Sequence, residues 1–356
     1  MIGSARIAAA LVLVSALAPA HARAGCAAVD MDAKGGSMER VPVLDQDALN
    51  GCYAYAGTGL FMAYRLSKSK ADPEHVTSPI AAAIGSGLDK GKAFIGSGHA
   101  CDVVNYLKDK GSCDRRKVLE QITHKCIAMD ETYHDVLLEA FGDYRKAAAG
   151  KALGEKAGFR EAVAARMAAC LREMAPDGVL PGVLKIADLL DQEKSLVFLQ
   201  GLVAQACPDS SLAKWNLPAF ECKNENMTKR PLADVLKTIH ERLDLPEPQP
   251  IAFSHCTMLL QEDDDAPKGV DHDAGALTKL CDHSRHVALI TGRRVDPDDP
   301  KRCQLRVRNE WGTDCEGYYS NLWDCKDGSL WIDDEALAHN TYALQYIVEP
   351  KPPEAK

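Results

Sequence analysis

The chain has 356 residues, 46% of them hydrophobic, with 51 acidic against 42 basic side chains. That composition describes a globular protein with enough apolar residues for a substantial core. Its net negative charge argues against nucleic acid or an anionic membrane surface as a partner.

At the N-terminus Arg6 precedes an apolar run from Ile7 to Ala20, and small residues follow at Ala22 and Ala24. This pattern predicts a secretory signal peptide over residues 1–24, cut after Ala24 or after Ala22. The run is 14 residues long, too short for a membrane span of about 20, so no integral membrane segment is expected. Cys26 lies near the cut, but Arg23 stands where a lipoprotein signal wants a leucine-like residue. The protein is expected to be exported, to a periplasm or out of the cell. Without its signal it keeps 40 basic side chains against 51 acids, a net charge of −11.

Thirteen cysteines in an exported chain predict a disulfide framework. The number is odd, so with one thiol kept for chemistry the other twelve allow up to six bridges. In chain order, Val41-Pro42-Val43-Leu44 reads as a short extended segment and residues 52–66 as a buried helix capped by Asn50, because small and apolar residues occupy every face. Residues 102–108 form a further helical stretch behind a glycine-rich turn over 91–98. From about 115 to 245 the spacing is helical throughout, with helices expected over 117–129, 133–149, 159–174, 183–190 and 232–243. Prolines at 246, 248 and 250 end that character. Strands are expected over 251–254, 287–290, 304–308 and 342–348, and a disordered tail over 350–356.

Three blocks carry chemistry. The first is Gln46-Asp47-Ala48-Leu49-Asn50-Gly51-Cys52-Tyr53-Ala54, with a cysteine opening a helix. There the helix dipole and free backbone N–H groups are expected to stabilise a thiolate and lower its pKa. The second is Arg285-His286-Val287-Ala288, a histidine heading an apolar strand, and the third Asn309-Glu310-Trp311-Gly312. Taken singly, each reads as structural: a bridge partner, a core histidine, a turn with an aromatic anchor.

Together and in this order the blocks resemble the papain-like cysteine peptidases. In that family a glutamine six positions before the nucleophile donates to the oxyanion, histidine opens a strand and asparagine begins an Asn-Ser-Trp-Gly turn. The resemblance covers about residues 41–114 and 232–348, with Thr77-Ser78-Pro79, Gly96-Ser97-Gly98 and Gln249-Pro250-Ile251-Ala252-Phe253 as weaker landmarks. It implies an α+β, two-lobed fold: a helical lobe over 25–114 carrying the nucleophile, and a β-barrel-like lobe over 246–349 carrying histidine and asparagine. The catalytic set it implies is Cys52, His286, Asn309 and Gln46, supported by Trp311, Tyr53 and Gly51, with peptide bonds hydrolysed through a Cys52 thiolate/His286 imidazolium pair and a covalent thioacyl-enzyme. Gly96, Ser97, Gly98 and Arg285 are expected at the substrate cleft. No metal or cofactor is called for. The expected partners are a protein or peptide substrate and a proteinaceous inhibitor.

The sequence departs from the family pattern in three places. Leu49-Asn50-Gly51-Cys52 replaces Cys-Gly-Ser-Cys, Glu310 replaces the usual serine, and Gly96-Ser97-Gly98 replaces a Cys-x-Gly-Gly segment. Histidine and asparagine follow Cys52 by 234 and 257 residues, against about 130–150 in the family. The excess is read as an all-helical insertion over 115–245 that covers or reshapes the cleft. Residues 295–300 are read as lengthening the hairpin between His286 and Asn309. Only about 20 residues separate the predicted cut from Gln46, too few for the helical propeptide common in the family.

Two other readings stay open: a catalytically silent relative that binds peptides or a partner in the same groove, and a cysteine amidase acting on cell-wall peptides. Cys281, Asp282, His283 and His286 lack the second ligand pair a zinc site needs. The acidic runs at 263–265 and 296–299 lack calcium-loop spacing and read as solvated turns. Asn226-Met227-Thr228 is a glycosylation sequon in form alone.

Overall fold

The structure is a computed structural model that describes residues 26–46, 51–69, 74–92, 97–115, 141–142, 144–149, 153–174, 183–192, 195–260, 285–316, 318 and 322–350. The predicted signal peptide, the helix at 117–129, the acidic run at 263–265, Gly96 and Cys281 to His283 fall outside the described residues.

An antiparallel sheet forms the frame. Its strands are β1 (Val29–Asp30), β2 (Glu221–Asn226), β3 (Ile251–Cys256), β4 (Arg285–Val295), β5 (Cys303–Arg308), β6 (Asp324–Lys326), β7 (Ser329–Asp333) and β8 (Thr341–Val348). They pair in the order β2-β8-β3-β4-β5-β7-β6, with β1 added to the far end of β4. Among the described residues this path is open and shows no closure into a barrel. The helices are α1 (Cys52–Lys68), α2 (Pro79–Asp89), α3 (Ala100–Lys110), α4 (Leu153–Met174), α5 (Val183–Leu190), α6 (Ser195–Ala206), α7 (Leu232–Leu243) and α8 (Asp334–His339). None of the described helices is long and apolar enough to cross a membrane.

Helix α1 lies on the sheet against β3, β4 and β8, with α2 and α3 on its other sides. Its lack of a polar face explains this: every residue from Tyr53 to Leu66 is buried, so each face needs an apolar neighbour. Gly57 and Gly59 permit the close fit. A Cβ at Gly57 would meet the Ala100 carbonyl oxygen at 2.6 Å, and one at Gly59 would meet Leu289 Cδ1 at 2.6 Å. The buried Arg65 is accommodated by a guanidinium placed 4.4 Å from the Trp215 ring and a 2.7 Å bond to the His75 carbonyl.

The helix cap differs from expectation. Gly51 is the N-cap, and its carbonyl accepts from Ala54 and Tyr55 N–H, while Asn50 falls outside the described residues. Helices at 183–190 and 232–243 end where the periodicity places them, while α2, opened by Ser78 and Pro79, was hidden in its run of small residues. Ser78 caps α2 by accepting from Ala81 N–H.

The region 115–245 is not helical throughout. β2 pairs with β8 over six residues from Glu221↔Val348 to Asn226↔Ala343. Its sequence Glu-Cys-Lys-Asn-Glu-Asn has little apolar content, because it is an edge strand whose outer side meets water. Two bridges also tie this region to the first segment, Cys101–Cys222 and Cys113–Cys207. Cys26–Cys303 and Cys315–Cys325 are the others with both partners described. Such a framework fits an oxidising compartment.

With Cys113–Cys207 intact, Cys101–Cys222 closes an effective loop of about 27 residues, which chain entropy values at about 3–4 kcal/mol. The C101S/C222S double variant is therefore expected to unfold at lower denaturant by about that free energy under non-reducing conditions. An unchanged midpoint would show that β2 holds to β8 without the bridge.

Candidate active site

Three stretches distant in sequence meet at the head of α1. The β4–β5 hairpin pairs Leu289 with Arg308 and turns at 296–302, where Asp296 N–H donates to the Arg302 carbonyl at 2.9 Å. Its open end therefore carries His286 and Asn309 side by side although 23 residues separate them. The third stretch, 44–46, pairs with the turn after β5. Gly312 N–H donates to Leu44 C=O at 3.1 Å, Asp45 bridges Trp311, and Gln46 N–H donates to Glu310 C=O at 2.7 Å.

His286 is buried, and its Nε2–H donates to Asn309 Oδ1 at 2.6 Å. Asn309 Nδ2 donates in turn to the Tyr318 hydroxyl at 3.0 Å. With the amide turned this way its Oδ1 faces the imidazole, which puts the neutral ring's proton on Nε2 and leaves the Nδ1 lone pair available. Trp311 lies 4.9 Å from the His286 ring and stacks on Tyr318 at 5.6 Å, covering the His286–Asn309 bond. Tyr318 and its role have no sequence signal, since it sits in a loop without periodicity.

Cys52 is the free cysteine among the described residues. Its thiol lies at the N–H of Val287, the residue after His286, and at the N–H groups of Cys52 and Tyr53. The expected lowering of its pKa is not what this environment produces. Burial pushes the thiol up to about 11; the Val287 N–H pulls it down, and the charge of Glu310 pushes it further up. Desolvation outweighs the helix terminus because the sulfur is largely withdrawn from water. Burial also lowers His286 to about 4 against the opposing Asn309 bond. Burial thus disfavours the charged form of each group.

A second histidine was not anticipated. His255 on β3 pairs directly with His286, so the two share a sheet face, and their rings meet edge-on at 5.4 Å. It is fully buried, stacked on Phe253 at 4.4 Å, and its Nε2 has no hydrogen-bond partner. Burial holds its pKa well below the usual histidine value. A histidine inside an apolar strand is the one signal that could have marked it.

Of the remaining expected residues, Gln46 is buried with Oε1 unpartnered. Gly98 touches Tyr53, where a Cβ would come within 2.3 Å of the ring, and Lys92 Nζ lies 5.4 Å from the same ring while donating to Ser97 C=O. The segment Ser97-Gly98 thus borders Tyr53, the residue after Cys52. Arg285 is exposed at the head of β4, with its guanidinium 5.1 Å from the Tyr342 ring. Among the described residues one group has metal-ligand spacing, His240, Cys303 and Asp334, but the Cys303 sulfur is bonded to Cys26 and offers no thiolate.

The histidine burial has a thermodynamic consequence. Between pH 6.5 and about 4 an unfolded His286 binds a proton that the folded one refuses. Stability is therefore complete above pH 6.5 and falls as the pH drops towards 4, by about 3 kcal/mol from this residue. His255 adds in the same direction. Denaturant titrations at pH 7 and pH 4 are expected to show that loss, and His286→Gln to show about 3 kcal/mol less of it.

No family model matches the chain, and no curated protein matches it. Among solved structures it is similar to xylellain, a cysteine protease from Xylella fastidiosa, at 12% identity and TM-score 0.45 over 91% of this chain and 86% of that one. It is similar to procathepsin B from Trypanosoma congolense at 10% identity and TM-score 0.45, over 90% and 76%. A digestive procathepsin L 3 of Tenebrio molitor larval midgut gives 11%, 0.41, 92% and 71%.

Proposed function

We propose that the chain is a cysteine peptidase with Cys52 as nucleophile. The observation that carries this reading is the free thiol at the head of α1, lying at the backbone beside a histidine whose orientation is fixed by Asn309 and Tyr318. A free cysteine among bridged ones, next to an oriented base, is the constellation that nucleophilic acyl transfer requires.

Burial disfavours the charge of both groups, so the thiolate–imidazolium pair that the family resemblance implies forms by proton transfer from Cys52 to His286. His286 Nδ1 takes the thiol proton as sulfur attacks the substrate carbonyl, an S–C bond forms, and the carbonyl π electrons move to oxygen. The Cys52 N–H and the Gln46 side-chain amide are the donors for that oxyanion. Collapse breaks the C–N bond, and the imidazolium protonates the leaving amine. Water, deprotonated by His286, then attacks the thioester and releases the acid, and the proton returns to sulfur.

The finer features belong to the same reading. Ser97, Gly98 and Arg285 border the cleft, the substrate is a protein or peptide, and the chain is exported. The region 115–245 restricts access to the cleft, although β2 makes it part of the sheet as well as an appendage.

A cleavage profile on a diverse peptide library is expected to show activity lost in Cys52→Ala and reduced about 10²–10³-fold in Gln46→Ala. Tyr318→Phe frees the Asn309 amide to turn and is expected to cost about five- to tenfold in kcat, with KM little changed. An epoxysuccinyl peptide should label Cys52 in the non-reduced protein. Folded protein that neither labels nor cleaves would favour the silent binder, and cleavage of peptidoglycan without cleavage of unfolded protein would favour the amidase.

A further inference from the structure

The contacts that orient His286 begin on a loop. Tyr318 is buried, its hydroxyl accepts from Asn309 Nδ2 at 3.0 Å, and its ring stacks on Trp311. It lies outside every described strand and helix, however, and Thr313, Asp314 and Glu316 before it are exposed. The backbone freedom of such a loop opposes holding one hydroxyl within hydrogen-bond reach of one amide, so something must restrain it.

The restraint comes from the β6–β7 hairpin. Cys315 is bridged to Cys325, ten residues on, with Tyr318 between them. Cys325 is the middle residue of β6 and pairs with Leu330 of β7, so the bridge fastens the loop to the sheet. The start of the loop is pressed against the same hairpin: a Cβ at Gly328 would come within 2.0 Å of the Gly312 carbonyl oxygen. Near the bridge Trp323 Nε1 donates to the Leu259 carbonyl at 2.7 Å, which ties this end to the segment after β3. Among the bridges with both partners described, Cys315–Cys325 is the one whose two cysteines are both only half-buried. It therefore fills little of the core, and its main effect is to constrain the chain around Tyr318.

We infer that the Cys315–Cys325 bridge is a positioning element of the active site. By closing the loop around Tyr318 it keeps the hydroxyl on the Asn309 amide, and through that amide it keeps the His286 proton on Nε2 and Nδ1 free for the nucleophile. Its kinetic consequence rests on the peptidase reading, with His286 as the base.

The test compares the C315S/C325S double variant, Tyr318→Phe and the two combined, each assayed on a cleaved peptide where circular dichroism shows it folded. Opening the bridge is expected to lower kcat about five- to tenfold with KM little changed, as Tyr318→Phe does. The combined variant is expected to lose less than about twofold more than either parent, because both act through one hydrogen bond. An unchanged kcat in the double variant, or losses that multiply in the combined one, would overturn the inference. A second readout needs no turnover: the His286 Nε2 proton, followed by NMR in protein with isotope-labelled histidine, is expected to exchange with water about tenfold faster in both parents. Should the serine pair not fold, the wild type is reduced with graded phosphine and its open bridges are mapped by mass spectrometry. There kcat is expected to fall in step with Cys315–Cys325, and full activity after that bridge has opened would count against the inference as decisively. Faster exchange without peptide cleavage keeps the positioning role and sinks the peptidase reading; cleavage with multiplying losses does the reverse.

Discussion

From Tyr53 to Leu66 every side chain of α1 is buried, and a helix buried on all sides must have the rest of the molecule built around it. The sheet supplies one wall and α2 and α3 the others. The end of the helix then reaches the open end of the β4–β5 hairpin with its sulfur among backbone N–H groups. Desolvation at that point sets the chemistry. The same burial that brings Cys52, His286 and Glu310 together works against a charge on each of them. The candidate site thus gathers groups whose charged forms burial disfavours, and the proposed chemistry depends on how each is oriented.

Orientation comes from a relay of side chains. Tyr318 sets the Asn309 amide, Asn309 sets the His286 tautomer, and Trp311 covers the bond between them. The 44–46 segment closes the arrangement by pairing with the turn that carries Glu310, Trp311 and Gly312. Gly312 is required there, with a φ of +75° and the Asp45 carboxylate 3.0 Å from where a Cβ would stand.

Much of this was legible in the sequence, and what was not has physical causes. α1 was readable because apolar residues on every face signal burial, and β5 because Cys303, Leu305 and Val307 alternate inward. The order of Cys52, His286 and Asn309 marked the site. β2 was invisible because an edge strand in contact with water carries no apolar alternation, and its pairing is fixed by β8, more than a hundred residues on. The thiol's raised pKa could not be read from a helix start, since a terminus in water and one under a sheet look identical in sequence. Tyr318 and His255 act through contacts that only the folded hairpin and strand pairing create.

Cys52 has to remain a thiol among cysteines that are bridged to one another. Thiol–disulfide exchange and peroxide attack both proceed through the thiolate, and a sulfur whose proton is held to about pH 11 offers very little of it to a passing oxidant. Burial at the head of α1 thus doubles as chemical shelter, letting one reduced sulfur survive beside the bridged cysteines of the described residues.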